Sequence, residues 1–471
     1  MLERDGRKLA ACSAHPFTTI APNIASGYFL SPEDDTACST RQPRDSRYGR
    51  CPTTQRRFLP VIVYDIAGLV PGAYQGRGKG NQFLNDITSA DVLLHIVDAS
   101  GKSDQEGNIL LESPSSSSSS SSSRLPGNDA MWLRDEIHRW IANNVLHKWQ
   151  SVVNHGKQQP HHGHGSQQAG KRVEARVHAL FTGYHASASH VDEAARRAGL
   201  DLSSAHQWPL KDVHLLCAHF LRVRFPICLA LNKVDQFDSV DAGRGVVAEC
   251  QECARARGED AIPCSALAET VLLAKLLAER EKEREMERSD RGLAENLEPK
   301  VCDLGLAEAV VANWGSTGVL QAISAAVALR PPTLVYPVSD LDSEAGIVDL
   351  SFSPTEALIL PDATSASLSR TSLQHQRLPD CIIMKPSSTV LDLFEALKHG
   401  GALGEFRLSG EFVRAEARGL DEGSRRRVVG RECALGPDLA IIKISTNRKR
   451  VWQQQQQQGR RDQVTLSPTP Y

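Results

Sequence analysis

The chain has 471 residues, room for two or three domains of roughly 150 residues, each able to bury its own core. Its 54 basic and 56 acidic side chains sum to a formal charge of −2, which excludes a polycation that captures nucleic acid or anionic membrane through its overall field. A hydrophobic share of 41% is ordinary for a globular protein, and eleven scattered cysteines, an odd number, argue for a reducing compartment against a disulfide scaffold.

In chain order, the continuous apolar runs Phe58–Tyr64 (FLPVIVY) and Asp91–Asp98 (DVLLHIVD) read as strands buried on both faces, with a helical pattern over Asn81–Ala90 between them. The polyserine run Ser115–Ser123, bounded by Pro114 and Pro126, predicts a disordered surface insert over 113–127. Helical patterns at Met131–Trp149 and around Glu193–Ala218 predict a helical insert over about 131–220, interrupted by a low-complexity Gln/His/Gly tract, Gln158–Gly170. Two more strands follow, Ile227–Leu231 (ICLAL) and Ala261–Ser265 (AIPCS), so strands alternate with helices as in a parallel α/β sheet. Glu279–Arg291, dense in alternating charge, reads as a solvated helix face. Ala309–Leu329 carries no charge, but Asn313, Gly315, Ser316, Thr317 and Gly318 make it too polar to span a bilayer, and a buried, broken helix pair is expected. No apolar leader is read at the start, and a cytoplasmic protein without membrane contact is the expectation.

Beyond residue 330 the pattern changes. Cys381–Lys385 reads as a strand, Thr389 caps a short helix Val390–Leu397, and Glu411–Ala417, Arg426–Val429 and Ala440–Ile444 read as further strands. They predict a small α+β module over 331–446, with an inserted loop 339–379 and a disordered tail 447–471 that begins near the polyglutamine Gln453–Gln458.

Three motifs sit at strand ends. Asp65-Ile66-Ala67-Gly68 puts a carboxylate where it can hold a nucleotide-bound magnesium through water, and a glycine whose amide can approach a γ-phosphate. Asn232-Lys233-Val234-Asp235 follows the ICLAL strand at the sheet edge where α/β ligands bind. Asp235 can accept hydrogen bonds from guanine N1–H and the exocyclic amine, a pair that adenine does not offer. Lys233 can lay its stem across the base, Asn232 can brace neighbouring loops, and near Ser265-Ala266 a backbone amide can meet the guanine carbonyl. Each motif alone is common; the three in this order and spacing are specific for guanine nucleotide.

The run DIAGLVPGAYQGRGKGNQFLNDI (Asp65–Ile87), then HIVDASG (His95–Gly101) and HPFTTIAPN (His15–Asn23), resembles the Obg-like GTPases, in particular the Obg-like ATPase branch and its archaeal and fungal guanine-type relatives. The resemblance spans about residues 9–446 and implies a P-loop-NTPase-like G domain over 1–330 with a helical insert, followed by a TGS domain, a ubiquitin-like β-grasp module. It further implies that Thr19, or adjacent Thr18, and Asp65 hold Mg2+, that Gly68 contacts phosphate, and that Asn232, Lys233, Asp235, Ser265 and Ala266 read the base. The retained Lys233 and Asp235 imply GTP and GDP over ATP, and Leu69 stands where Ras-type enzymes carry a catalytic glutamine. Arg414, Arg418, Arg425, Arg426, Arg427 and Arg431, with Lys443, Arg448, Lys449 and Arg450 beyond, make the module locally basic, and the TGS resemblance implies a ribosome or RNA partner for it; no DNA partner is expected.

One departure is large: no G-x-x-x-x-G-K-[ST] precedes Asp65, and a strand, phosphate loop and helix need roughly 25 residues or more, whereas 14 precede His15. Gly101-Lys102-Ser103 has Ile96 where the first glycine must stand, and Gly76–Gly80 (GRGKG) matches the family's mobile switch segment. The G domain is therefore read as N-terminally incomplete, and GTP hydrolysis as conditional on a phosphate loop that this sequence does not contain. The first reading is a guanine-nucleotide switch acting on ribosomes or RNA; the alternatives are a nucleotide-free scaffold working through its TGS domain, and a chain whose exposed apolar edges prevent productive folding. His161, His162 and His164 lie in a polar tract, and Cys250 and Cys253 form a lone C-x-x-C, so neither set is read as a metal site.

Overall fold

The computed structural model describes residues 23–32, 49–51, 54, 56–66, 72–75, 85–103, 126–157, 165–288, 304–344, 381–399, 408, 410–421 and 423–447. Thr18, Thr19, Gly68, Leu69, the polyserine tract, the histidine-rich tract at 158–164, most of the 339–379 loop and the tail after 447 lie outside the described residues. The chain divides into two compact units, Met1–Gly27 with Val61–Arg330 and Tyr28–Pro60 with Pro331–Tyr471. β1 (Asn23–Leu30) and β2 (Phe58–Asp65) pair as a two-stranded ribbon.

The first unit is built on a parallel sheet of β3 (Leu93–Asp98), β4 (Ile227–Asn232) and β5 (Ala261–Pro263) in that order. Helices α1 (Pro126–Lys157), α2 (Gly165–Phe181), α3 (Ala188–Ala198) and α4 (Leu210–Arg224) come between β3 and β4. α5 (Val240–Arg255) joins β4 to β5, and α6 (Ala266–Arg288), α7 (Leu304–Trp314) and α8 (Val319–Ala328) follow. Alternation along each strand sorts its side chains between two faces. Leu93, Val97, Leu229 and Leu231 enter the main core with Ile137 and Ile141 of α1 and Val247 of α5. On the other face the small Ala230 and Cys264 let α8 pack close through Ala322. Leu94 and Ile96 share that second face by register with Cys228 and Ala230, yet Ile96 stays 63% exposed, and among the described residues β3 pairs only with β4.

The four-helix layer has an aromatic centre: Phe181 and Phe220 rings lie 4.4 Å apart, and Trp140 meets Tyr184 edge-on at 4.9 Å. Arg224, buried at the end of α4, donates to the carbonyl oxygens of Tyr184 (2.9 Å), Ala90 (2.9 Å) and Thr88, which ties the layer to the segment entering β3. Three carbonyls disperse its charge where a lone buried guanidinium would be costly.

The sequence patterns need amendment in four places. The described part of the 81–90 helix is helical at Asn85 and Asp86 and ends in a turn of 3-10 helix, Ile87–Ser89. The pattern around Glu193–Ala218 is not one helix: Gly199 in the left-handed region ends α3, and Pro209 caps α4. α2 begins at Gly165, inside the tract read as low-complexity. β1 and α5 carried no expectation. The charge-free stretch does break into α7 and α8, and among the described residues no helix is long and apolar enough to cross a membrane.

The second unit holds a five-stranded sheet ordered β7-β6-β10-β8-β9, from β6 (Thr333–Pro337), β7 (Ile382–Met384), β8 (Glu411–Arg418), β9 (Arg427–Val429) and β10 (Ile441–Asn447). β10 runs parallel to β6 and antiparallel to β8. Helix α9 (Val390–His399) lays Val390, Leu393, Phe394 and Leu397 on one face of this sheet. Its start is reciprocally capped: Thr389 Oγ1 accepts from the Asp392 amide at 3.2 Å, and the Asp392 carboxylate accepts from the Thr389 amide at 2.7 Å.

The turn between α7 and α8 needs glycine at one position far more than at the other. Gly318 (φ 77°) is so close to β5 that a Cβ there would sit 1.9 Å from the Pro263 carbonyl oxygen, whereas a Cβ at Gly315 (φ 81°) would meet nothing within 4 Å. Gly318→Ala should therefore cost about 3 kcal/mol or more and Gly315→Ala about 1 kcal/mol, checked by urea denaturation. A second test concerns His95, on the core-facing side of β3. Burial, then the charge of Arg134, lowers its pKa to about 4. Because the folded value lies below the ordinary 6.5, the unfolded chain takes up the proton first, so stability should fall as pH drops from about 6.5 to about 4. His95→Leu should flatten that slope.

Candidate functional site

The parallel register pairs Asp98 at the end of β3 with Asn232 at the end of β4, which sets two polar side chains side by side at the carboxyl edge of the sheet. The Ala99 amide donates to the Asn232 carbonyl at 2.9 Å and closes this edge. Lys233 then takes a left-handed backbone conformation (φ 69°, ψ 31°), and Val234 is buried against Ala268, Ala307 and Val310, anchoring the turn that carries Asp235.

Among the described residues, each polar side chain in this turn has an identifiable partner except one. Asn232 Oδ1 accepts from the Ala266 amide at 3.0 Å, so it braces the loop after β5, as its position in the motif predicts. Lys233 Nζ donates to Asp98 Oδ2 at 2.7 Å and reaches Ser103 Oγ at 3.3 Å. Asp98 Oδ1 accepts from the Ser100 amide (2.9 Å) and hydroxyl (2.6 Å), and Oδ2 also accepts from the Ser103 hydroxyl. Burial pushes the Asp98 carboxyl up, but the hydrogen bonds from Lys233, Ser100 and Ser103 and the Lys233 charge outweigh it and hold it below its ordinary value. Among the described residues Asp235, a half-buried carboxylate, accepts no hydrogen bond and forms no ion pair.

Ser265 and Ala266 are brought beside Asn232, but their amides are occupied. The Ser265 amide donates to the Thr317 carbonyl at 2.8 Å, and the fully buried Ser265 hydroxyl caps α6 by accepting from the Ala268 amide at 3.0 Å. Among the described residues the first-turn amide left open at the start of α6 is that of Leu267. Lys102 donates to the Gln236 carbonyl (2.8 Å) and to Asp238 (3.0 Å), and Ser103 joins the Asp98 network, so the Gly101-Lys102-Ser103 run buttresses the loops at this edge. Sequence reasoning missed Asp98, Ser100, Ser103 and Leu267; the strand-end D-A-S of Asp98–Ser100 was the available signal.

Asp65 ends β2, where its Oδ2 accepts from Asn23 Nδ2 at 3.1 Å. Among the described residues Oδ1 has no partner, and a hard divalent cation takes such a carboxylate oxygen directly or through water. Asp65 thus fits a magnesium ligand, while the other residues named for metal and phosphate lie outside the described set. No group of three or more metal-ligating side chains occurs among the described residues. Downstream, Glu136 of α1, buried, accepts from the Gly72 amide, and the Arg139 guanidinium lies 5.6 Å from the centre of the Tyr74 ring, so the segment after Asp65 is held against α1.

The basic C-terminal side chains are largely paired within their own unit. Arg414 and Arg426 meet Glu416, Arg418 meets Glu344, Arg427 meets Asp438, and Lys443 meets Asp340. Arg431 donates to the Phe412 carbonyl at 3.0 Å, and Arg425 has no partner among the described residues.

Residues 230–340 match the family described as "Obg-like GTPase YGR210-like, G4 motif-containing domain". An uncharacterized GTP-binding protein of Schizosaccharomyces pombe is 29% identical over 404 residues, covering 82% of this chain and 84% of that protein. One from Methanocaldococcus jannaschii is 29% identical over 363 residues, 76% of this chain and 80% of its own length. Obg-like ATPase 1 of Gallus gallus is 37% identical over 90 residues, 19% of this chain and 20% of that one. In fold, the chain is similar to the crystal structure of a GTP binding protein from Pyrococcus horikoshii, with a TM-score of 0.52 at 21% identity over 92% of this chain and 95% of that one. The parallel sheet, the strand-end motifs and these relatives agree: this chain has a G-domain fold and is similar to proteins of the Obg-like GTPase family.

Proposed function

We propose that the chain binds guanine nucleotides, with the base held at the edge formed by β3, β4 and the start of α6. The observation that carries this reading is the division of labour in Asn232–Asp235. Asn232 and Lys233 are spent on bracing, and Asp235 alone keeps an open acceptor. A carboxylate without a donor is costly to keep half-buried, and guanine N1–H and its exocyclic amine supply two donors at once. The open Leu267 amide is the donor for the guanine carbonyl, in place of the occupied Ser265 and Ala266 amides. Thr18 or Thr19 and Asp65 are proposed to hold Mg2+ and Gly68 to approach phosphate; the ion would screen the phosphate charge. Among the described residues no side chain is placed to activate water, so the proposal is a nucleotide-dependent switch. The segment that follows Asp65, fixed on α1 through Glu136, would carry its state to the helices between β3 and β4, proposed to be the family's helical insert.

The second unit is proposed to be a TGS module whose partner is a ribosome or RNA surface. Exposed ion pairs contribute about 0–1 kcal/mol each, so a phosphate can displace the exposed Asp438 carboxylate that now pairs with Arg427. A second reading, a nucleotide-free scaffold, is favoured by one observation: G-x-x-x-x-G-K-[ST] does not occur in the 471 residues.

Calorimetric or NMR titration of the full chain separates the two. GDP should bind in preference to ADP. Asp235→Asn should weaken GDP by about tenfold to a hundredfold and admit xanthosine diphosphate, whose C2 carbonyl accepts from the new amide. Equal affinity for GDP and ADP, or none for either, would leave the scaffold reading. For the RNA partner, Arg425→Glu should lower affinity for a ribosomal RNA fragment and reduce its salt dependence; an unchanged salt slope contradicts that assignment.

A further inference from the structure

We infer that Asp98 is a positioning residue for base recognition, acting through Lys233; the inference rests on the guanine-binding reading above. Lys233 is a long, flexible side chain on a backbone position that most residues avoid, and left to itself it would sample many rotamers. Here both of its ends are fixed. The end of β4 holds its Cα, and Asp98 holds its Nζ at 2.7 Å. Since Asp98 and Asn232 are register partners, the Lys233 stem is a hydrocarbon bridge joining the ends of the two strands, two residues before Asp235. A fixed apolar strip beside a guanine-reading carboxylate supplies a surface for the flat face of a base.

The hydrogen-bond inventory of Asp98 separates this role from a ligand-contacting one. Its two oxygens accept from the Ser100 amide, the Ser100 hydroxyl, the Ser103 hydroxyl and Lys233, two bonds to each oxygen. A carboxylate offers about four acceptor sites, so none is left for a metal ion or a substrate hydroxyl. Its neutralising charge also removes Lys233 from competition for phosphate, which confines the contribution of Lys233 to the base.

The test is a double-mutant cycle on the full chain, reading affinities for GDP and ADP. Asp98→Ala and Lys233→Met should each weaken GDP about tenfold with little change for ADP, and the double variant should be no worse than Lys233→Met alone. Asp98→Glu, which keeps the charge, should restore part of the GDP preference, a recovery that general loss of structure would not give. Losses that add, or equal losses for GDP and ADP, overturn the positioning role while leaving the guanine-binding reading intact. A wild-type chain without preference for GDP overturns both.

Discussion

The in-register parallel pairing of β3 with β4 is the constraint on which the site depends. It aligns Asp98 with Asn232, so that one strand end supplies the charge that holds the other strand's lysine. A shift of one residue would turn Asp98 to the opposite face of the sheet and leave Lys233 without a counter-ion. The register is in turn fixed by core burial: Leu93 and Val97 must enter the same apolar layer as Leu229 and Leu231. Hydrophobic sorting thus sets a polar contact to within hydrogen-bond distance, and the loop after β5 is then aligned to the same edge through Asn232 and Ala266.

The second feature is how little freedom the edge retains. Asn232, Lys233, Ser265, Ala266, Lys102 and Ser103 are all committed to partners in the chain, and Gly318 allows the α7–α8 turn to pass within van der Waals contact of the Pro263 carbonyl. A recognition group works best when its surroundings are already ordered, since little entropy is lost on binding. Asp235 and the Leu267 amide are the groups left over from that ordering, and they are one acceptor and one donor.

Much of this was legible in the sequence. Apolar runs located β2, β3, β4 and β5 to within a residue or two, and N-K-x-D followed by S-A identified the edge. What escaped was information that only pairing supplies. Nothing in the spacing of Asp98 and Lys233, 135 positions apart, says that they touch; that follows from register. Ser265 and Ala266 stand where the motif names base contacts, whereas the Thr317 carbonyl and the Asn232 side chain take their amides. β1 and β6 were missed because Asn23–Leu30 mixes apolar and small residues, and Thr333–Pro337 is short and follows two prolines. α2 was hidden because Gly, Ser and Gln at its start imitate a linker, while the periodic Val173, Val177 and Phe181 that bury it come later.

The distance between β3 and β4 along the chain also sets a schedule for synthesis. β3 emerges with Leu94 and Ile96 outward and has to wait for its partner strand β4, which lies beyond four helices and 134 positions later in register. At about 5–20 residues per second, that interval is roughly ten seconds. During it, the α1–α4 layer can assemble from local contacts, but the first strand of the sheet remains an apolar ribbon with both hydrogen-bonding edges open. The nascent chain is therefore most vulnerable to association with its neighbours on a polysome in that interval, and any pause before β4 emerges prolongs it.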